Sequence, residues 1–289
     1  HMLASSRAIK KNVIIVILVC MFPLFNPGFG RVVRSAAYYA FRQGARAYFA
    51  YQTRDFAAVE GENFIVKYTD QDQELVSLVL DCAEQYYQDI GVLLGRELPA
   101  GGKKVIVLHP DRESLHNIFG WGQEQRAVGV YWAGNISLLS PQVWLNEDGE
   151  GLSEAFLREN PLSHEIIHLL VDSWTQGNYP RWLSEGLAQY IEAGLIGYVL
   201  PEPEEEAREF LPLDKLGSAF DDPEKQLAAY WQSRLMVQHL ADNYGLDGIL
   251  ELLDCLRQGS PVAAPFREIY GFSVEKLIAR VAIIHRKNL

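Results

Sequence analysis

Residues 160–192 read NPLSHEIIHLLVDSWTQGNYPRWLSEGLAQYIE, and no other stretch of the chain says as much about its fold. Asn160 is suited to cap a helix that begins at Pro161, where the N–H that proline lacks is not needed. That helix carries His164 and His168, which are four residues apart and therefore lie on one face. Glycine and proline residues then mark a turn before a second helix with an apolar face. We predict two consecutive helices, the second folding back beside the first.

The residues from His164 to His168 form the pattern His-Glu-x-x-His, which is typical of zinc hydrolases. Two imidazoles on one helix face can bind a single zinc ion, while Glu165 lies to the side, where its carboxylate can reach a metal-bound water. Catalytic zinc sites usually have three protein ligands and one open position, so a third ligand is needed. Glu185 on the second helix is the candidate.

The segment Trp182–Ala188, WLSEGLA, is similar to the Trp-x-x-Glu-Gly-x-Ala stretch that carries the third ligand in zinc aminopeptidases and their relatives. Together with the His-Glu-x-x-His motif, it makes the chain resemble the gluzincin clan of metallopeptidases and, within that clan, the peptidase MA-like group. The resemblance is most specific over residues 160–192 and weaker over about 62–285. It implies a thermolysin-like architecture, a Zn²⁺ cofactor and hydrolysis of peptide bonds.

The resemblance also assigns roles to individual residues. Glu165 would be the general base that activates the attacking water. Related enzymes take a Tyr or His from a later helix to stabilise the oxyanion, so Tyr230 is the candidate here, with Arg234 and His239 as alternatives; a structural role explains each of these three equally well. The chain has no Gly-x-Met-Glu-Asn exopeptidase motif, and endo- versus exopeptidase action stays open. The implied metal ligands are His164, His168 and Glu185.

Residues one or two helical turns from these ligands are candidates to orient them through hydrogen bonds. Asp172 follows His168 by one turn, whereas Gln189 and Glu192 follow Glu185 by one and two turns. Placement at the surface is the competing interpretation for all three.

Strand patterns dominate the first half of the chain that follows the N-terminal segment. Residues 62–69 alternate apolar and polar side chains, 103–108 form a β-branched run, and 126–139 predict two short strands or a hairpin. A helical pattern covers residues 72–94. The resemblance to the gluzincins implies that substrate adds as a strand to a sheet edge, here 129–139. Tyr131 and Trp132 could then line pockets, although core packing is the simpler interpretation of these aromatic residues.

Beyond residue 151 the patterns become helical. We therefore predict an α+β fold over 61–289, with a small mixed sheet in the N-terminal half packed on the active-site helices in 61–195 and a helical subdomain in 196–289. The expected helices cover about residues 153–158, 161–173, 180–193, 223–243, 247–257 and 273–285.

Composition narrows the class of protein. Apolar residues make up 48% and charged residues 22% of the chain, as in soluble globular proteins. The formal charge of −11 and the lack of a basic stripe in the body argue against nucleic acid as a partner. Cys20, Cys82 and Cys255 lack metal-ligand spacing, and free thiols are favoured over a Cys82–Cys255 disulfide.

The N-terminal segment, residues 1–30, predicts export or membrane anchoring. His1–Met2 resembles a cloning scar, and the basic residues after it precede a 13-residue apolar run, Val13–Phe25. We favour an uncleaved signal-anchor over a cleaved signal, with an extracytoplasmic catalytic domain, although arginines beyond the run oppose that orientation. Residues 31–60 predict a juxtamembrane amphipathic helix or a linker, and a helix packed on the domain is an equal alternative.

Three functions compete. The first is a membrane-anchored or secreted zinc metallopeptidase acting on peptides or unfolded protein segments. The second is a catalytically inactive, zinc-stabilised binding or scaffolding module at the cell surface. The third is hydrolysis of a non-peptide amide, because the same metal chemistry serves any polarised carbonyl. The sequence does not indicate an oligomeric state.

Overall fold

The computed structural model describes residues 31–99, 101–119, 127–145, 149–205 and 208–287. In these ranges the chain forms a five-stranded mixed sheet, which lies in the N-terminal half, and eleven α-helices. The predicted α+β class is therefore confirmed. The predictions for residues 1–30 lie outside the described residues.

The chain divides into two compact units. The first comprises residues up to Gly91 together with Glu97–Leu169, and the second comprises Val92–Arg96 together with the chain from Leu170 onward. The boundaries at residues 91/92 and 169/170 each fall inside a helix.

The sheet belongs to the first unit. Its order is β1-β2-β3-β5-β4, in which β2, β3 and β5 run parallel and the two outer pairings are antiparallel. All five residues of β5 are buried, as expected for a strand flanked on both sides. The strands are β1 (Ala57–Glu60), β2 (Phe64–Tyr68), β3 (Lys104–His109), β4 (Gly129–Trp132) and β5 (Asn135–Leu139).

The predicted hairpin over residues 126–139 is confirmed as β4 and β5. Its two-residue turn places Ala133 and Gly134 at φ angles of 48° and 92°, the left-handed region that such tight turns require. The hairpin makes β4, rather than the whole of 129–139, an edge of the sheet, and β1 is the other edge.

The helices of the first unit are α1 (Arg31–Gln52), most of α2 (Val76–Leu94), α3 (Arg112–Phe119), α4 (Pro141–Trp144), α5 (Glu150–Glu159) and the start of α6 (Leu162–Thr175). One face of α1 packs on the sheet, because the rings of Phe41 and Phe49 lie 5.6 and 5.9 Å from that of Trp132. Phe49 is 1% exposed. Trp132 is thus part of an aromatic core. No helix in the described ranges combines the length and apolar character needed to cross a membrane.

The second unit is helical in its described residues. It holds the end of α6, α7 (Arg181–Ile196), α8 (Leu213–Ala219), α9 (Gln226–Arg257), α10 (Ala263–Tyr270) and α11 (Val274–Lys287). Helix α9 is kinked at Gly245, whose φ of 77° and ψ of 165° are not helical. The kink falls between the two helices that the sequence predicted at 223–243 and 247–257. Cys82 and Cys255 are free, as the sequence favoured.

His109 couples the stability of the sheet to pH. Its ring nitrogens lie 3.1 Å from the Ser114 hydroxyl and 3.3 Å from the Ser137 hydroxyl. The side chain is fully buried, and burial lowers its pKa to about 4, despite the nearby Asp111, which raises it. The folded protein therefore holds His109 neutral at pH values where an unfolded chain would protonate it.

We expect the free energy of unfolding to fall as the pH drops from about 6.5 to about 4. The unfolded state then binds a proton that the folded state does not, and the full loss from this group is about 3 kcal/mol. Urea unfolding of metal-free protein across this range should show a flatter pH dependence for His109→Gln than for wild type. Equal slopes for wild type and His109→Gln would refute the assignment.

Candidate metal centre

The first two predicted ligands lie at the start of α6, as its capping explains. The Asn160 side-chain oxygen accepts a hydrogen bond from the Leu162 N–H at 3.2 Å, and Pro161 precedes the first helical residue. The predicted N-cap is thus confirmed. One turn into the helix, the rings of His164 and His168 lie 4.7 Å apart. Their spacing brings two imidazoles to one side of α6.

The third predicted ligand, Glu185, lies on α7. The next residue, Gly186, faces the backbone of α9, since a Cβ added there would come within 2.3 Å of the Ser233 carbonyl oxygen. Only glycine allows this approach. The close contact between α7 and α9 buries Glu185 to 8% exposure.

His164, His168 and Glu185 come together as the sequence predicted. One nitrogen from each imidazole and one carboxylate oxygen of Glu185 lie within 4.8 Å of one another. Two imidazoles and a carboxylate are a common ligand set of catalytic zinc sites, whose ligand–metal distances of about 2.0–2.2 Å suit donors at this separation. The residues therefore fit a zinc ion.

Glu165 lies beside the open edge of the sheet. Its side chain is on α6 and is 6% exposed. A Cβ added at Gly129 would lie 3.1 Å from the Glu165 carboxylate oxygen and 2.8 Å from Pro161. The glycine thus lets the β4 backbone pass directly against the carboxylate. The hairpin pattern around Gly129 in the sequence does not indicate this contact.

Arg181 was also missed, although its position one turn before Glu185 is a signal that it lies on the same helix face. Its Nε lies 3.5 Å from a Glu185 carboxylate oxygen. Its Nη1 donates to Asp221 at 2.7 Å, and its guanidinium lies 4.7 Å from the Phe220 ring centre. Burial lowers the pKa of Arg181. The hydrogen bond to Asp221 and the charges of Glu185 and Tyr230 raise this pKa by more than burial lowers it, so the net shift is upward.

Tyr230 lies close to this arginine. Its ring is 5.1 Å from that of Phe220, and its backbone carbonyl accepts a hydrogen bond from the Gln189 side chain at 3.0 Å. The two alternatives have other neighbours. Arg234 lies 3.7 Å from the Glu202 carboxylate, and His239 contacts the Asn243 side chain. Of the three candidate oxyanion donors, Tyr230 is the one that lies near Arg181, and Arg181 contacts Glu185.

The residues considered as orienting partners are all buried. Asp172, Gln189 and Glu192 are 7%, 4% and 6% exposed, so surface placement is excluded for them. Gln189 donates to the backbone carbonyls of Glu185 and Tyr230 and so ties α7 to α9. Its role is to fix helix positions, rather than to orient an imidazole.

We expect Arg181→Met to weaken zinc binding about tenfold, the lower end of the range for groups that orient ligands. Loss of the guanidinium frees the Glu185 carboxylate to rotate. Removing a positive charge also favours a cation, but this effect is small because Asp221 already neutralises Arg181. Competition with a chromophoric chelator measures the affinity, with exposed Arg257→Met as the control. Unchanged or tighter binding would show that Arg181 does not hold Glu185.

Comparison with known proteins agrees with the geometry. The chain matches no curated protein. Residues 151–283, from α5 to near the end of α11, match the family model described as the Peptidase MA superfamily. This region includes every predicted ligand and Glu165, and it confirms the resemblance drawn from the sequence. Residues 151–283 thus form a domain of the Peptidase MA superfamily.

Proposed function

We propose that the chain is a zinc-dependent metallopeptidase that hydrolyses peptide bonds, with His164, His168 and Glu185 as metal ligands. The observation that carries the proposal is the convergence of these three side chains, whose ligand atoms lie within 4.8 Å of one another. Structural zinc sites are usually closed by four ligands that include cysteine, so a set of two histidines and one glutamate favours a catalytic site. The superfamily of residues 151–283 supports peptides as substrate.

When bound, zinc would supply a Lewis acid that polarises a carbonyl group and makes water nucleophilic near neutral pH. Glu165 would take the proton of the attacking water and pass it to the leaving amine. Its low exposure limits exchange with bulk water, and the β4 backbone at Gly129 restricts where its carboxylate can move. The general base is thereby held in a narrow range of positions.

Tyr230 would donate its phenolic hydrogen to the oxyanion that forms during peptide hydrolysis. Its neighbours Phe220 and Arg181 support this role, because they restrict the ring and connect it to the helix that carries Glu185. We further propose a thermolysin-like architecture around the site. The peptide would add as a strand to the free edge of β4, which passes beside Glu165.

The domain would act outside the cytoplasm, tethered to the membrane or exported. The support for this part of the proposal is the 13-residue apolar run Val13–Phe25 that follows basic residues near the N-terminus. Peptides or unfolded protein segments would be the substrates.

Metal analysis combined with a peptide library tests the proposal. Full-length protein loaded with zinc and freed of excess metal should contain one zinc per chain and cleave unstructured peptides. Mass spectrometry of the products locates each cleaved bond and separates endopeptidase from exopeptidase action. Stoichiometric zinc without cleavage would instead favour the binding or scaffolding module.

A further inference from the structure

Helix α1 has an apolar outer face that the sheet does not cover. Its inner face, with Ala45 and Phe49, is buried against the first unit. The opposite face exposes Tyr39 at 66% and Val32 at 81%. The exposed residues recur at helical spacing and include Val32, Ala36, Tyr39, Ala40, Gln43, Arg46, Ala47, Ala50 and Tyr51. A helix that covers a domain ordinarily shows water a polar face, so this face is suited to contact an apolar medium.

The charges of α1 indicate what that medium is. Helix α1 contains four arginines and no acidic residue, within a chain whose formal charge is −11. The helix is therefore basic within an acidic protein. Arg46 and Arg54 are exposed beside the apolar face, where Arg46 also donates to the Lys103 carbonyl and Arg54 lies 3.4 Å from the Asp55 carboxylate. Arginine flanking an apolar helix face, with tyrosine at its margin, is the pattern of helices that lie in the headgroup region of anionic bilayers.

The sequence before α1 supplies a second reason to identify the apolar medium as a membrane. Five residues separate the apolar run Val13–Phe25 from Arg31, where α1 begins. If that run enters a bilayer, the start of α1 lies close to the membrane surface. A second protein as the occupant would explain the apolar face, but not the adjacent apolar run.

We propose that the outer face of α1 docks on the surface of an anionic membrane and holds the first unit against the lipid. The inner face of the same helix contacts Trp132 at the end of β4. Because a helix is about 10–12 Å across, the free β4 edge would lie close to the headgroups. If the proposed function holds, this arrangement selects substrate segments that emerge from, or run along, the membrane surface.

Site-specific fluorescence in the full chain tests the docking without any need for catalysis. An environment-sensitive dye is placed at Tyr39→Cys or Ala47→Cys in a background without native cysteines and with Glu165→Gln. With vesicles of phosphatidylcholine and phosphatidylglycerol, we expect a blue shift and protection from iodide at both positions. Phosphatidylcholine alone should give neither. The exposed Gln88→Cys, on α2 of the same unit, is the reference position and should stay accessible.

Two charge-reversal variants, matched in net charge, test the contribution of the arginines to docking. Arg46→Glu with Arg54→Glu should lower the ratio of docked to undocked α1 on the order of tenfold or more, since each arginine near an anionic surface contributes roughly fivefold to binding. Arg257→Glu with Arg267→Glu, on exposed positions of the second unit, changes the net charge equally and should leave the ratio unchanged.

Three results would overturn the proposal: dyes at positions 39 and 47 that stay accessible on anionic vesicles, equal protection at position 88, or equal effects of the two charge reversals. Protection without lipid that rises with protein concentration would identify a contact between two copies of the chain instead. Because the dye reports on an inactive variant, failed docking and a failed peptidase assay are distinguishable.

Discussion

Glu165→Gln should reduce peptide turnover on the order of a thousandfold while the protein still binds one zinc per chain. Positioned general acid–base groups typically contribute between about 10² and 10⁴ in rate. The amide has nearly the same shape as the carboxylate, but it cannot accept the proton of the attacking water. Glu165 is not one of the three ligand residues, so the metal site itself is left intact.

The control for this substitution lies on the preceding helix. Glu154→Gln changes an exposed glutamate of the same domain and should leave turnover unchanged. Initial rates on a cleaved library peptide give the turnover, and metal analysis after gel filtration gives the zinc content. Undiminished turnover would remove Glu165 from the mechanism, whereas a parallel loss of zinc would make it a ligand rather than a base.

The residues of the site were predictable from sequence because they depend on local geometry. The spacing of His164 and His168 fixes their common helix face, and Asn160 and Pro161 fix where that helix begins. The glutamate of the second helix follows from the number of ligands that zinc requires. These arguments use only short stretches of the chain, and the structure agrees with them.

Features that depend on distant contacts were not predictable. Strand β1, with the sequence AAVE, lacks a strong strand pattern and exists because it pairs with β2, Val59 opposite Val66. The Arg181–Asp221 ion pair joins residues forty positions apart, on different sides of the loop between α7 and α8. The contact of Gly129 with Glu165 likewise requires knowledge of how the hairpin meets α6.

The residues of α1 are compatible with both sequence-based alternatives. Its aromatic residues fit a helix packed on the domain, and Phe41 and Phe49 do pack in that way. Tyr39, Arg46 and Ala47 fit a helix at a membrane surface, and they lie on the face left exposed. Sequence periodicity alone could not separate these sets, since apolar residues occur around most of the helix.

Glu185→Gln should weaken zinc binding by a hundredfold or more and abolish turnover with it. Loss of groups that merely orient ligands costs about 10–100-fold in affinity, and under the proposed function Glu185 is itself a ligand. An amide oxygen carries no charge to offset that of the cation.

The Glu185 and Glu165 substitutions together separate metal binding from catalysis. Zinc competition assays should give a large loss of affinity for Glu185→Gln, no loss for Glu165→Gln, and none for the exposed Glu251→Gln on α9. Excess zinc should restore part of the turnover in Glu185→Gln but none in Glu165→Gln, because only the former lacks metal rather than a base. Wild-type affinity in Glu185→Gln would mean that α7 does not contribute a ligand, and the site would then have to be closed by a residue other than Glu185.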